Sequence, residues 1–207
     1  MRQFRSPWGA NGMLLGLAVL VSGRAAHAQS AADSARARYV AADVAFMSGM
    51  IHHHAQAVLM AGWAPSHGAS QAIRALCERI VVGQRDEIAL MQRWLRDRHE
   101  TVPDGDASHD MMPGMDPSSM MPGMLTADQL AQLDRTRGPE FDRLFLTFMI
   151  QHHQGAIVMV DKLFGSQGAG EEEIVFRFAS DVYADQTTEI DRMQKMLAVL
   201  PAGGQGP

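Results

Sequence analysis

Two stretches of this chain are closely similar: residues 50–60, MIHHHAQAVLM, and residues 149–159, MIQHHQGAIVM. They share the pattern Met-Ile-x-His-His-x-x-Ala-x-x-Met and lie 99 residues apart. Residues three, seven and ten positions after the first methionine lie on one face of an α-helix. The repeat therefore predicts two copies of one helix, each with a face that carries histidine and methionine.

The repeat continues into the segments that follow. The pattern Gln-x-x-Glu-x-x-x-Met occurs at residues 84–91 and recurs at residues 186–193, at an offset of 102. All four segments place apolar residues at alternating spacings of four and three, which predicts a buried helix face. The chain is therefore interpreted as a tandem duplication of one helical hairpin. Two such hairpins predict an all-α fold, a four-helix bundle with a long, methionine-rich crossover.

Glycine, proline and capping residues predict the limits of these elements. Thr126 to Gln129 is a capping box that predicts a short additional helix, and Pro139 lies in the first turn of the third long helix. The predicted bundle spans residues 29–200. It divides into hairpin one at about 34–99 (helices 34–63 and 70–99), a linker at about 100–125, hairpin two at about 126–200 (its last helix 171–200), and a disordered tail at 201–207.

The N-terminus has the pattern of a secretory signal peptide. Arg2 and Arg5 precede the short apolar run 13–21, and Ala26-His27-Ala28 is a small-x-small cleavage site. This pattern predicts a signal peptide at residues 1–28 and a periplasmic or secreted mature chain. An uncleaved anchor is the alternative, although the run is short for a membrane span.

Charge and cysteine content exclude several classes of partner. The predicted signal peptide contains three arginines and no acidic residue, so its removal changes the formal charge from −5 to −8. An acidic chain without a basic patch argues against nucleic acid and anionic membranes. Cys77 is the only cysteine, so an intrachain disulfide is impossible; its helical spacing favours a small buried residue over a thiolate ligand.

The histidine faces supply candidate metal ligands. The buried face places His53 and His152 inside the bundle, while His52 is expected to face solvent. The candidate ligands are Met50, His53, His54, Met60, Met149, His152, His153 and Met159. Imidazole with soft thioether selects copper(I), and by softness silver(I), over magnesium, calcium or manganese, whereas zinc does not need methionine. The competing interpretation is packing, with core histidines hydrogen-bonded to glutamine and methionines that fill space.

The second helix of each hairpin is expected to support these ligands. Pairing about the first turn places His53 level with Ile80 and Met50 near Gln84, so that an amide could orient an imidazole one turn away. The expected supporting residues are Gln84, Glu87, Met91, Gln186, Glu189 and Met193. Four acidic residues are expected further toward the other end, where they could hold a harder metal: Asp43, Glu87, Asp142 and Glu189.

The linker is a second candidate site. Met-Met-Pro-Gly-Met occurs twice within residues 109–124, and proline with glycine predicts a loop there. Hydrated thioethers have no packing role unless the loop docks, and they bind soft metals without deprotonation or disulfide formation. The linker candidates are His109, Met111, Met112, Met115, Met120, Met121 and Met124, to which His99 could be added. A low-complexity linker without function is the alternative.

The paired Met-Ile-x-His-His-x-x-Ala-x-x-Met helices, each followed by a Gln-x-x-Glu-x-x-x-Met helix, resemble an exported family. It is a ferritin-like family, long labelled a domain of unknown function, that includes the copper-binding protein CopM. The resemblance covers about residues 39–200, apart from the linker. It implies a ferritin-like four-helix bundle in the periplasm that binds copper or silver through the eight methionines and histidines named above.

The favoured hypothesis is a non-enzymatic, exported copper(I) binder for sequestration, tolerance or delivery. Its partners would be the metal ion and a periplasmic copper-handling protein; the oligomeric state is open. A structural or interaction bundle without metal is one alternative. A di-metal carboxylate oxidase is another, but it needs Glu-x-x-His, and Leu90 and Arg192 stand where the histidines would be. No nucleophile–base pair, phosphate loop or cofactor motif indicates an enzyme.

Overall fold

The computed structural model describes residues 39–107 and 121–200, which contain helices and no strand. The helices are α1 (Ala41–Gly62), α2 (Gln71–Asp97), α3 (Ala127–Arg135), α4 (Gly138–Phe164) and α5 (Glu173–Val199). The four long helices confirm the predicted all-α bundle, and α3 is the short capped segment. The predicted signal peptide, the predicted tail and residues 108–120 of the linker lie outside the described residues.

Side-chain caps set most helix starts. Ser70 accepts a hydrogen bond from the first turn of α2, and Thr126 forms a capping box with Gln129 at α3. Glu172 caps α5 in the same way, so this helix begins two residues later than predicted. At the other end of α2, His99 has a φ of 59°, a conformation that ends the helix before the predicted position.

Two aspartates tie the hairpins to each other. Asp43, near the start of α1, accepts a 2.7 Å hydrogen bond from the backbone N–H of Gly170 in the α4–α5 turn. Asp142, near the start of α4, accepts from the N–H of Ser70 before α2, at 3.2 Å to each oxygen. Both carboxylates are buried. They therefore cap the opposite hairpin, and the expectation that they could hold a harder metal is not supported.

The packing of α1 against α4 fixes the centre of the bundle. The second half of α1 shares one core cluster with the first half of α4, including Met60 and Phe145. The first half of α1 shares the other cluster with the second half of α4, including Met47 and Val160. The two repeat helices therefore run antiparallel, and the histidines lie between the two clusters. Within the described residues, no helix is long and apolar enough to cross a membrane.

Candidate metal centre

Two histidines, one from each repeat, meet where α1 crosses α4. The ring centroids of His53 and His152 are 3.8 Å apart, and their planes are inclined by 40°. Both side chains are fully buried. Because α1 and α4 are antiparallel copies of one helix, equivalent residues near the middle of each come face to face. We call these two residues the inner histidines.

The neighbouring residues His54 and His153 are the outer histidines. Their ring centroids lie 6.4 and 6.3 Å from those of the adjacent inner histidines. His153 Nε2 is hydrogen-bonded to Glu189 at 2.6 Å. His54 Nε2 lies 2.7 Å from a carboxylate oxygen of Glu87, although this contact lacks the alignment of a hydrogen bond. The four imidazoles therefore form a chain across the bundle, with a carboxylate from α2 or α5 at each end.

Burial keeps the inner histidines neutral. Desolvation, with a further contribution from the nearby outer histidine, lowers the pKa of His53 to about 3. Burial and the surrounding histidines also hold the pKa of His152 well below its usual value. A neutral imidazole is the form that binds a metal. At physiological pH both inner histidines therefore carry a lone pair that a metal could accept.

Several imidazole nitrogens in this chain have no hydrogen-bond partner of good geometry. Within the described residues these are Nδ1 of the two inner and the two outer histidines, and also Nε2 of His54 and of His152. His53 differs because its Nε2 lies 3.0 Å from the Pro122 carbonyl, to which it can donate. A neutral ring that donates through Nε2 keeps its lone pair on Nδ1. Buried unpartnered nitrogens are rare in folded proteins, and an ion is one of the few explanations for them.

The candidate methionines are divided between the two core clusters. Met50 belongs to one cluster, and Met159 packs against it. Met60 and Met149 belong to the other cluster, on the opposite side of the histidine chain. Ten residues of helix span about 15 Å, so Met50 and Met60 cannot both contact an ion at the histidines. The eight candidates therefore do not form one ligand set; each cluster holds one methionine from each repeat.

The predicted supporting residues on α2 and α5 have different positions in the structure. Glu87 reaches an imidazole, whereas Gln84 forms no hydrogen bond to one. Gln84 and Gln186 are buried beside a groove of about 310 Å³ that Glu87 and Glu189 also line. Both amide atoms of Gln84 lack a partner within the described residues. Met91 and Met193 lie in opposite core clusters and contribute packing.

A further carboxylate enters the same groove. Asp185 lines it, and partial burial there raises the pKa of Asp185. The neighbouring Glu87 and Glu189 raise this pKa further. The groove on the α2–α5 side of the histidine chain therefore combines three carboxylates with two arginines, Arg79 and Arg192.

Residues 121–125, which we call the linker end, dock against the other side of the histidine chain. Gln56 on α1 holds Leu125 from both sides: it accepts from the backbone N–H at 2.7 Å and donates to the carbonyl at 3.1 Å. A Cβ on Gly155 of α4 would lie only 2.0 Å from the Pro122 carbonyl oxygen, so backbone and helix are in direct contact. This docking places the Pro122 carbonyl on His53.

Gln56, Gly155 and the Pro122 carbonyl are not among the residues predicted from the sequence. The available signal was a difference between the repeats: Gln56 and Gly155 occupy equivalent positions, 99 residues apart. Gln56 holds Leu125 through two hydrogen bonds, and Gly155, which has no side chain, leaves room for the backbone of residues 122 and 123. A difference between equivalent positions of the two repeats can therefore indicate where the linker, which is present only once, contacts a duplicated fold.

The remaining candidates lie elsewhere. His52 and His99 are exposed, Met124 is buried as part of the linker end, and Cys77 is buried in the core. The linker candidates outside the described residues are His109, Met111, Met112, Met115 and Met120. No group of three or more His, Cys, Asp or Glu side chains within residues 39–107 and 121–200 has the spacing of a metal site.

The family model DUF305, a domain of unknown function, matches residues 43–197. A solved DUF305 fragment from Deinococcus radiodurans is 26% identical, with a TM-score of 0.65, over 77% of this chain and 97% of that chain. A DUF305 protein from Streptomyces coelicolor is 26% identical, with a TM-score of 0.63, over 76% and 92%. CopM in its Cu(II)-bound form is 26% identical, with a TM-score of 0.60, over 75% and 95%. CopM has also been solved with Cu(I) and with silver. No curated protein sequence matches the chain significantly.

Proposed function

This chain belongs to the DUF305 family, and we propose that it is an exported, non-enzymatic protein that binds copper(I) for sequestration, tolerance or delivery. Silver(I) would follow by its softness. The similar structures of CopM with bound copper support metal binding. The signal-peptide pattern of residues 1–28 supports export to the periplasm or beyond the cell.

The observation that carries the proposal is the set of buried, unpartnered nitrogens at the inner histidines. Leaving a buried polar atom unsatisfied costs about 1–3 kcal/mol. Neutral His53 and His152 each offer one unpartnered lone pair at the contact of α1 with α4. The carboxylates beside the outer histidines are the partners that orient metal-binding imidazoles in other proteins. A bound cation would accept one lone pair from each inner histidine.

The choice of a soft ion rests on the donors within reach. The described residues do not provide three oxygen, imidazole or thiolate side chains at one metal position. They do provide a methionine from each repeat on either side of the histidines. Thioether with imidazole favours copper(I) over harder divalent ions. The two capping aspartates argue against a di-metal carboxylate oxidase, because they already accept backbone N–H groups.

The test is an anaerobic copper(I) titration of residues 29–207 against a chromogenic chelator. We expect His152→Ala to lose at least one bound copper per chain, whereas His52→Ala, an exposed neighbour of the site on α1, should keep the full capacity. A deletion of residues 109–119, which leaves the linker end in place, should retain the copper held by the histidines.

If the protein is instead an interaction bundle that binds no metal, we expect the opposite result. In that case His152→Ala would change the free energy of unfolding and leave the copper content equal to that of the wild type. Unfolding by urea, followed by circular dichroism, is therefore measured on the same samples. Failure of the wild-type chain to compete with the chelator would refute the proposal directly.

A further inference from the structure

Met121 and Met159 meet in an open cleft beside the histidine chain. The cleft has a volume of about 200 Å³ and lies between the first half of α1, the second half of α4 and the linker end. A Cβ placed on Gly49 would lie 3.1 Å from Met121 Sδ and 3.5 Å from Met159 Cε. The two thioether side chains therefore converge over one glycine of α1, one from the linker and one from a repeat helix.

The position of Met121 is determined by docking of the residues that follow it. The clamp of Gln56 on Leu125 and the close contact at Gly155 fix the linker end against both repeat helices. Gly49 makes the room for the thioether, since the equivalent position in the second repeat is Phe148. The first repeat thus has a gap where the second has a large side chain, and Met121 fills part of that gap.

The lining of the cleft selects one class of ligand. Among residues 39–107 and 121–200, this lining contains no carboxylate and no imidazole. Its polar side chains are Lys162 and Ser166, and the rest is apolar apart from the thioethers. A hard divalent cation would find no anionic oxygen there and would meet a lysine charge. Thioether sulfur instead favours soft ions such as copper(I). Both methionines are partly exposed, so a metal can reach their sulfurs from solvent.

We propose that Met121 and Met159 form a second site for a soft monovalent cation, separate from the inner histidines. Met159 is two helical turns beyond His152, on the same face of α4, which corresponds to about 10 Å along the helix. This site joins the methionine-rich linker to the bundle, and it would receive an ion before the buried histidines do. The inference rests on the proposed copper(I) function but concerns different ligands.

The experiment labels every methionine methyl group with ¹³C in mature residues 29–207 and adds copper(I) anaerobically. Met121→Leu and Met159→Leu assign the two resonances, because leucine keeps the apolar volume and removes the sulfur. We expect both methyl signals to shift together in the wild type. Each single variant should abolish the shift of the remaining partner at substoichiometric copper(I), since neither thioether alone completes the site. Met196, a partly buried methionine of α5, is the control whose signal should not move.

Two outcomes would overturn the inference. One is an unmoved Met159 signal at saturating copper(I); the other is a Met159 shift that is the same with and without the Met121 sulfur. Retention of the copper held by His152 in those samples would show that the proposed function survives. Absence of copper binding by the wild-type chain would remove both proposals at once. Circular dichroism melting of the leucine variants checks that each remains folded.

Discussion

Alanine at Gly155 should destabilise this protein, although glycine in a helix interior usually weakens a helix. Replacing such a glycine with alanine normally raises the free energy of unfolding by about 0.5–1 kcal/mol. Here the new Cβ would lie 2.0 Å from the Pro122 carbonyl oxygen and 2.5 Å from Gly123 Cα. Carbon and oxygen atoms rarely approach closer than about 3.3 Å. The linker end must therefore retreat by more than an ångström, because both obstructing groups are backbone.

The retreat would break three hydrogen bonds: the contact of His53 with Pro122 and both bonds between Gln56 and Leu125. At about 1 kcal/mol each, their loss exceeds the helix gain and leaves a net destabilisation of about 2 kcal/mol. For a chain of this size that corresponds to a fall in Tm of about 4–8 °C.

Thermal and urea unfolding of the metal-free chain, followed by circular dichroism, measures this effect. The matched control is Gly83→Ala in the middle of α2, where a new Cβ would meet no atom within 4 Å. We expect Gly83→Ala to raise the free energy of unfolding by about 0.5–1 kcal/mol. The two substitutions should therefore have opposite signs. A Gly155→Ala variant as stable as Gly83→Ala would show that the linker end does not rest on α4, and the reasoning would be wrong.

Three further predictions concern the inner histidines, Gln56 and Cys77. In the metal-free protein, His53 has a pKa of about 3 and His152 a lowered pKa, whereas unfolded histidine titrates near 6.5. The unfolded chain therefore binds more protons than the folded chain below about pH 6.5. The free energy of unfolding should fall as the pH is lowered, by up to about 1.4 kcal/mol per pH unit for each histidine. Urea midpoints that do not change between pH 7 and pH 5 would contradict this prediction. Gln56→Leu should lower the free energy of unfolding by about 2 kcal/mol and speed amide hydrogen exchange in the linker end by about 30-fold. Gln154→Leu, at an exposed position of α4, should change neither quantity. Unchanged exchange in the Gln56→Leu variant would argue against the two hydrogen bonds between Gln56 and Leu125. Burial raises the pKa of the Cys77 thiol to about 12, so a disulfide reagent at pH 8 should modify the native chain far more slowly than the chain in urea, and equal rates would place this thiol at the surface.

The sequence could predict the helices and their buried faces because both depend on local periodicity. A spacing of three and four residues puts His53 and His152 inside any bundle that buries the apolar face. The register between α1 and α2 could not be obtained in this way. Sliding one helix by a turn keeps the same apolar face buried, so the pattern does not distinguish Gln84 from Glu87 as the partner of a histidine. The contact of His54 with Glu87 depends on tertiary packing of α2 against α1, which local periodicity does not specify.

The sequence also could not predict whether α4 runs parallel or antiparallel to α1. A linker of about 25 residues permits either a parallel or an antiparallel arrangement of the two hairpins. In the antiparallel arrangement, Met159 packs against the core cluster that contains Met50, and Met149 lies in the same cluster as Met60. A parallel one would have put Met50 beside Met149, as a reading of two identical motifs suggests. The direction of α4 therefore decides which methionine of the second repeat lies near each methionine of the first.

The linker end also determines which deletion is informative. Removing residues 109–124 would take away the Pro122 carbonyl and Met121 and would disturb the backbone held by Gln56. Loss of copper in that deletion could then result from lost linker thioethers or from a disturbed His53. Removing residues 109–119 keeps every contact described for the linker end. Copper lost only in the longer deletion would therefore be assigned to the docked segment and the histidine beneath it, and copper lost in both would be assigned to the methionines further along the linker.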